Sequence, residues 1–185
     1  LGGRCCAGGS RPTVRAFVEA LAEARIGETF NQYANSELRR ERLIAYLSRR
    51  AGARYLLAGE AARYRGARVS GLPFTSERQL SGTGPAEATA TIVHRTLAEL
   101  QLEIDVLLWN VVPTHPHRSG EARSNRQPTK TEVREAMRFL DLLAAGRRTI
   151  AVGRLAHSIL GGRYVRHPSH GGAARFRAGL VLSIR

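Results

Sequence analysis

The chain has 185 residues, which fits one domain or one domain with a short appendage. Apolar residues make up 43%, enough for a real core, and no apolar run approaches the roughly 18–20 residues that cross a bilayer, so no membrane partner is expected. The formal net charge of +14 favours a polyanionic partner, because each neutralised phosphate releases condensed counterions. Lys130 is the only lysine, so arginine supplies 28 of the 29 basic residues. Such a bias also arises from GC-rich coding without any functional demand. Even so, guanidinium forks match phosphate oxygens bidentately.

The two cysteines, Cys5 and Cys6, are adjacent. They make neither a disulfide framework nor a four-ligand metal site, so a reducing, cytoplasmic setting is expected. A cluster held by four cysteines is excluded. Residues 1–13 are rich in Gly and Arg and read as a flexible tail, leaving 14–185 as a single domain with N-terminal helices at 14–52 and an α/β core at 53–185.

From Val14 to about Arg25, apolar residues recur at helical spacing through Val14, Phe17, Val18, Leu21 and Ala22. A second helix is predicted over Ser36–Ala51, with Leu38, Leu43, Ile44 and Leu47 on one face. Four short apolar runs follow: Tyr55–Ala58, Ile104–Trp109, Thr149–Val152 and, more weakly, Tyr164–Val165. Helical patterns separate or follow them at Glu87–Gln101, Thr131–Ala145, Leu155–Leu160 and Ala173–Ile184. Short buried strands alternating with helices predict βαβ units and a parallel sheet covered on both faces. In such sheets ligands bind at the carboxyl ends of the strands. The polar stretches Gly59–Arg68, Asn110–Arg126 and His167–Gly172 fall there.

Three constellations carry candidate chemistry. The first runs from Gly59-Glu60-Ala61-Ala62-Arg63-Tyr64-Arg65-Gly66 to Gly71-Leu72-Pro73-Phe74. A Gly leaving a strand ahead of a carboxylate puts an acid at the mouth of the sheet, and Gly66 and Gly71 let the loop bend closely around a ligand. A solvent-exposed loop Glu fits the same residues. The second is Leu107-Leu108-Trp109-Asn110. It sets a side-chain amide at the end of a buried strand, where its donor and acceptor can read a pyrimidine edge; a turn-forming Asn ahead of Pro113 is the alternative. The third is His167-Pro168-Ser169-His170-Gly171-Gly172. A neutral His167 can donate to an oxygen that gains negative charge, and a satisfied loop histidine is the plainer reading. His115 with His117, or His167 with His170, lacks a third metal ligand at recognisable spacing, so no metal or other cofactor is expected.

In this order the three segments resemble the uracil-DNA glycosylase superfamily over roughly residues 54–184. Gly59-Glu60-Ala61 resembles the first motif in its Gly-Glu-Ala-Pro-Gly form, and Gly71-Leu72-Pro73-Phe74 the segment with the base-stacking aromatic. Leu107-Leu108-Trp109-Asn110 resembles the strand with the base-reading Asn, and His167-Pro168-Ser169 the second motif. The implied fold is α/β: a three-layer α/β/α domain around a short, mainly parallel four-stranded sheet. The implied activity is excision of uracil from DNA by a monofunctional, monomeric enzyme whose partners are uracil-containing and abasic-site DNA.

The resemblance implies that Glu60 handles the attacking water and His167 the leaving base, with Gly59 and Ala61 around the ring. Phe74 would stack on uracil, Asn110 read it, and Tyr64 wall its C5 edge. Arg118, Arg123 and Arg126 would meet phosphates, with Ser169 and His170 beside them and Arg175 as the wedge into the emptied stack. Two departures stand out. Ala62-Arg63 replaces Pro-Gly, which loosens the loop and adds a charge. Ala61 occupies the position that carries the acid in Gly-Gln-Asp-Pro members, so Glu60 must serve. The absence of four cysteines separates the chain from the iron–sulfur members. Rival readings are a uracil or abasic-DNA binder with slow or no turnover, a glycosylase for another deaminated or mismatched base, and a sequence-neutral DNA-binding module.

Overall fold

Thr13 fixes where the first helix begins, because its hydroxyl accepts the Ala16 N–H at 3.2 Å. The computed structural model describes residues 12–184, so all but the last two residues of the expected tail, Cys5 and Cys6 included, lie outside the described residues. Helix α1 (Val14–Glu23) buries Phe17, Val18, Leu21 and Ala22. Helix α2 (Glu37–Arg49), capped by Ser36, buries Leu43, Tyr46 and Leu47.

The sheet has four strands among the described residues: β1 (Tyr55–Ala61), β2 (Val106–Val112), β3 (Arg148–Val152) and β4 (Arg163–Val165). Their order is β2-β1-β3-β4 and every pairing is parallel. All seven residues of β2 and the first five of β1 are buried. Successive side chains of a strand point to opposite faces, so unbroken burial means that both faces are covered. Phe17 of α1 meets Trp109 of β2 edge-on at 5.8 Å and Phe139 at 5.6 Å. Burial of each such side chain contributes roughly 1.5–3 kcal/mol. The outer edge of β2 is blocked by Tyr46, whose hydroxyl accepts the Leu108 N–H at 2.8 Å.

The remaining helices are α3 (Ala67–Ser70), α4 (Glu77–Ser81), α5 (Ala88–Glu99), α6 (Lys130–Ala144), α7 (Arg154–Leu160) and α8 (Ala173–Ile184). Helix α6 packs on β2, α7 on β1 and β3, and α8 on β4. The predicted bounds of β1 and β2 shift most. Pairing of Gly59 with Asn110 and of Ala61 with Val112 carries β1 and β2 beyond their apolar runs. Glu60 and Asn110 therefore lie within strands rather than just after them. Ile104 begins no strand; it is 65% exposed in the turn before β2. Helices α3 and α4 lie in the stretch expected to be loop.

Candidate active site

Gly59 and Asn110 are register partners on the two adjoining strands, which brings the first two constellations side by side. Asn110 is 5% exposed. Among the described residues, none hydrogen-bonds its side-chain amide. The amide opens onto the pocket, and a ligand that filled the pocket without a matching donor and acceptor would leave it unpaired at a cost of about 1–3 kcal/mol. Any Cβ on Gly59 would overlap Phe74 Cζ and stand 3.2 Å from Asn110 Oδ1. The missing side chain is what lets the ring lie against the strand.

Phe74 has φ +52°, a left-handed backbone that a bulky residue adopts only under constraint. The constraint is visible. Ser70 Oγ donates to Thr75 O at 2.7 Å and to Leu72 O at 3.2 Å, while accepting the Leu72 N–H at 3.0 Å. Thr75 Oγ1 lies 3.0 Å from His94 Nε2 on α5. The N-terminal part of the chain holds the same loop from outside. Arg39 Nε donates to Val69 O at 2.9 Å, Arg42 pairs bidentately with Glu77, and the Tyr33 hydroxyl donates to Gly71 O. Gly71, expected to bend the loop, turns the chain with φ +80° and also makes room for Arg39, whose Cβ would lie 2.8 Å from an added methyl.

His167 follows β4 and is half-buried. Its Nδ1 lies 3.2 Å from the Ser169 backbone nitrogen and 2.8 Å from Ser169 Oγ. A backbone N–H can only donate, so Nδ1 accepts and the proton of the neutral ring resides on Nε2. Burial, with the positive charge of Arg63 and the neighbouring His170 and Arg166, pushes the His167 pKa down to about 4. At neutral pH the ring is an uncharged donor.

His167, Asn110, Phe74, Glu60 and Ala61 line one pocket together with Arg63, Ala67, Glu87 and Thr89. Burial raises the Glu60 carboxyl above its ordinary range, and Arg63 opposes that shift. Glu87 behaves in the same way for the same two reasons. The sequence reading overlooked Glu87, yet topology offered a signal. A helix that feeds a parallel strand starts at the carboxyl end of the sheet, so the first residues of α5 had to arrive beside the motifs.

An open groove adjoins the pocket, lined by Tyr64, Arg65, Arg123, Asn125, Ser169 and His170 and sharing Arg63, Glu87 and His167 with it. Arg123, Ser169 and His170 thus lie where a polyanion could reach them. Tyr64 lies on this groove and outside the pocket. Its N–H donates to Asn125 Oδ1 at 2.9 Å and its ring faces the Arg68 guanidinium at 5.1 Å. Arg118 is exposed and pairs with Glu121 at 3.6 Å. Arg126 is committed elsewhere: it forks onto the buried Glu132 at 2.6 and 2.8 Å and donates to His117 O. A guanidinium so engaged does structural work, and Arg126 also lines a recess with Glu60 and Arg63. Arg175 is exposed on the first turn of α8 and does not line the groove.

Among the described residues no three His, Cys, Asp or Glu side chains gather as metal ligands. His115 is fully buried with Nδ1 donating to Ala62 O at 2.9 Å, and its ring stacks on His117 at 5.9 Å. That pair props the Ala62 turn and the following loop together.

A phenyl ring, an unpaired amide, a neutral histidine and a carboxylate meet at the carboxyl ends of parallel strands, a set of groups that could hold a flat polar ring. The arginine-bearing groove beside it suits the strand that delivers such a ring. Residues 47–182 match the family model of the uracil DNA glycosylase superfamily, and the chain belongs to that superfamily, whose members are DNA glycosylases. No curated protein sequence matches the chain. Among solved structures, SMUG2 of Pedobacter heparinus is similar in fold, with a TM-score of 0.72 at 11% identity. The likeness covers 93% of this chain and 97% of that one.

Proposed function

We propose that the protein is a monofunctional uracil-DNA glycosylase that takes uracil out of the helix and hydrolyses its glycosidic bond. The observation that carries this reading is the convergence of Phe74, Asn110, His167 and Glu60 on a single pocket. Uracil inside a duplex is out of reach, and extruding it costs a few kcal/mol of stacking and pairing. Stacking on Phe74 offsets about 1–3 kcal/mol of that. The Asn110 amide accepts from N3–H and donates to O4. Cytosine has no N3–H and carries an amino group at C4, so it leaves the buried amide mismatched, at about 1–3 kcal/mol.

As the C1′–N1 bond breaks, its electron pair goes to the base and the sugar becomes cationic. His167 donates Nε2–H to uracil O2 and stabilises the anion without surrendering a full charge to the site. Glu60 orients the water that attacks C1′, takes its proton and favours the cation. No lysine lines the pocket. An amine that could form a Schiff base with the abasic sugar is therefore missing from its walls, in keeping with hydrolysis alone. With Tyr64 on the groove, the small side chains beside the ring are Ala61 and Ala67, next to Arg63.

The direct test is an end-labelled oligonucleotide with one uracil, incubated with the protein and then treated with hot alkali. Cleavage at the uracil, absent when thymine or cytosine replaces it, supports the reading. A retarded complex specific for uracil or abasic DNA, without cleavage, would replace it with the binding protein.

A further inference from the structure

The mechanism above assigns one carboxylate, and the pocket contains two. Resting on the uracil-DNA glycosylase reading, we propose that Glu87 is a second catalytic carboxylate, facing the deoxyribose across the pocket mouth from Glu60 and stabilising the sugar cation as the base departs.

Asn110 lies within a buried strand at the inner end of the pocket. A uracil whose N3–H and O4 meet Asn110 must turn N1, and the sugar on it, outward to the mouth. Glu87 lines both the pocket and the groove, whereas Glu60 lines the pocket and a recess with Asn125, Arg126 and Gln127. Arg63 is the residue common to all three, and its positive charge acts on both carboxylates. The Glu87 carboxylate sets a negative charge where pocket and groove meet, the place at which the sugar cation would develop.

The Glu87 side chain is also not accounted for by structural work. It occupies the N-cap position of α5 but makes no capping bond to that helix. Among the described residues, no hydrogen bond or ion pair engages its carboxylate or that of Glu60. Glu87 is seated against Gly66, where any Cβ would collide with its Oε2. The glycine makes room for the carboxylate to lie along the pocket wall. The charged and titratable groups facing it are Arg63, Glu60 and His167 in the pocket and Arg65, Arg123 and His170 in the groove. Water remains the nucleophile: its oxygen bonds C1′, the C1′–N1 pair leaves with uracil, and the water proton passes to Glu60.

The test compares wild type, Glu87→Gln and Glu87→Asp in single-turnover excision from a single-uracil duplex across a pH series. Affinity for abasic DNA and thermal unfolding serve as controls. Gln keeps the shape over Gly66 and removes the charge. The expected result is a loss of about 10- to 100-fold in the Gln variant, with abasic-DNA affinity nearly unchanged. The acid limb of its pH profile should become shallower by one proton, and Asp should recover part of the rate. Wild-type activity with an unaltered rate and profile in the Gln variant would overturn this proposal alone. An inert wild type would overturn the glycosylase reading itself, and the role of Glu87 with it.

Discussion

Gly59 and Phe74 share one volume: a methyl group on the strand residue would sit inside the edge of the ring. The position of the ring therefore depends on a hydrogen at Gly59 and on a left-handed backbone at Phe74, two features far apart in sequence. A side chain at position 59 could not be accommodated without moving the ring.

Gly59→Ala is expected to displace Phe74 and forfeit stacking worth about 1–3 kcal/mol. That corresponds to a loss of roughly 5- to 150-fold in kcat/KM on uracil DNA. Steady-state kinetics check it, with circular dichroism confirming that the sheet persists. A variant with native kinetics would mean that Phe74 is not the stacking platform.

Asn110→Ala should erase the preference for uracil over cytosine. In the proposed reading, its amide is the group that tells N3–H and O4 from an amino-bearing edge. Competition between uracil- and cytosine-containing oligonucleotides measures the change, and a retained preference would show that another group reads the base.

His167 contributes to the pH dependence of stability. Its pKa is about 4 in the folded protein, against an ordinary value near 6.5. Between those values the unfolded chain binds a proton that the folded one does not, so stability falls as pH drops from 6.5 towards 4. His167→Gln should flatten Tm against pH in that window. An unchanged slope would place the ring in an ordinary solvent environment.

Arg126 and Arg123 should separate cleanly, although they lie on one loop. Removing Arg126 strands the carboxylate of Glu132, which is held below its ordinary range because the bonds from Arg126 and Thr129 outweigh its burial. The cost is about 3 kcal/mol, the low end for a broken buried pair because Arg126 is partly exposed. Arg123→Ala should leave Tm alone and reduce the salt slope of DNA binding by about one. Thermal unfolding and salt titration together distinguish the two; a Tm loss in Arg123→Ala would assign it a structural role as well.

Much of this arrangement was legible from residue pattern. The alternation of short apolar runs with helical spacing predicts the parallel sheet, and the polar segments after the runs predict where the pocket opens. Pattern was blind where tertiary contacts decide. Tyr64 neighbours the first motif in sequence, but its N–H bond to Asn125 turns it onto the groove. Arg126 looked like any loop arginine until Glu132, six residues on, proved to be buried under it. Helices α3 and α4 are too short to show periodicity. Their caps emerge only in the structure: Gly71 and Gly82 are left-handed, and Ser76 and Gln79 form a capping box. The support that α2 gives the Phe74 loop through Arg39 and Arg42 carries no sequence signature, since arginines abound throughout the chain.

The most direct test of the account is release of free uracil from single-uracil DNA, measured under single-turnover conditions for wild type and His167→Ala. Release by the wild type, slowed about 100-fold or more in the variant, is the predicted result. No release by the wild type, or equal release by both, would contradict it.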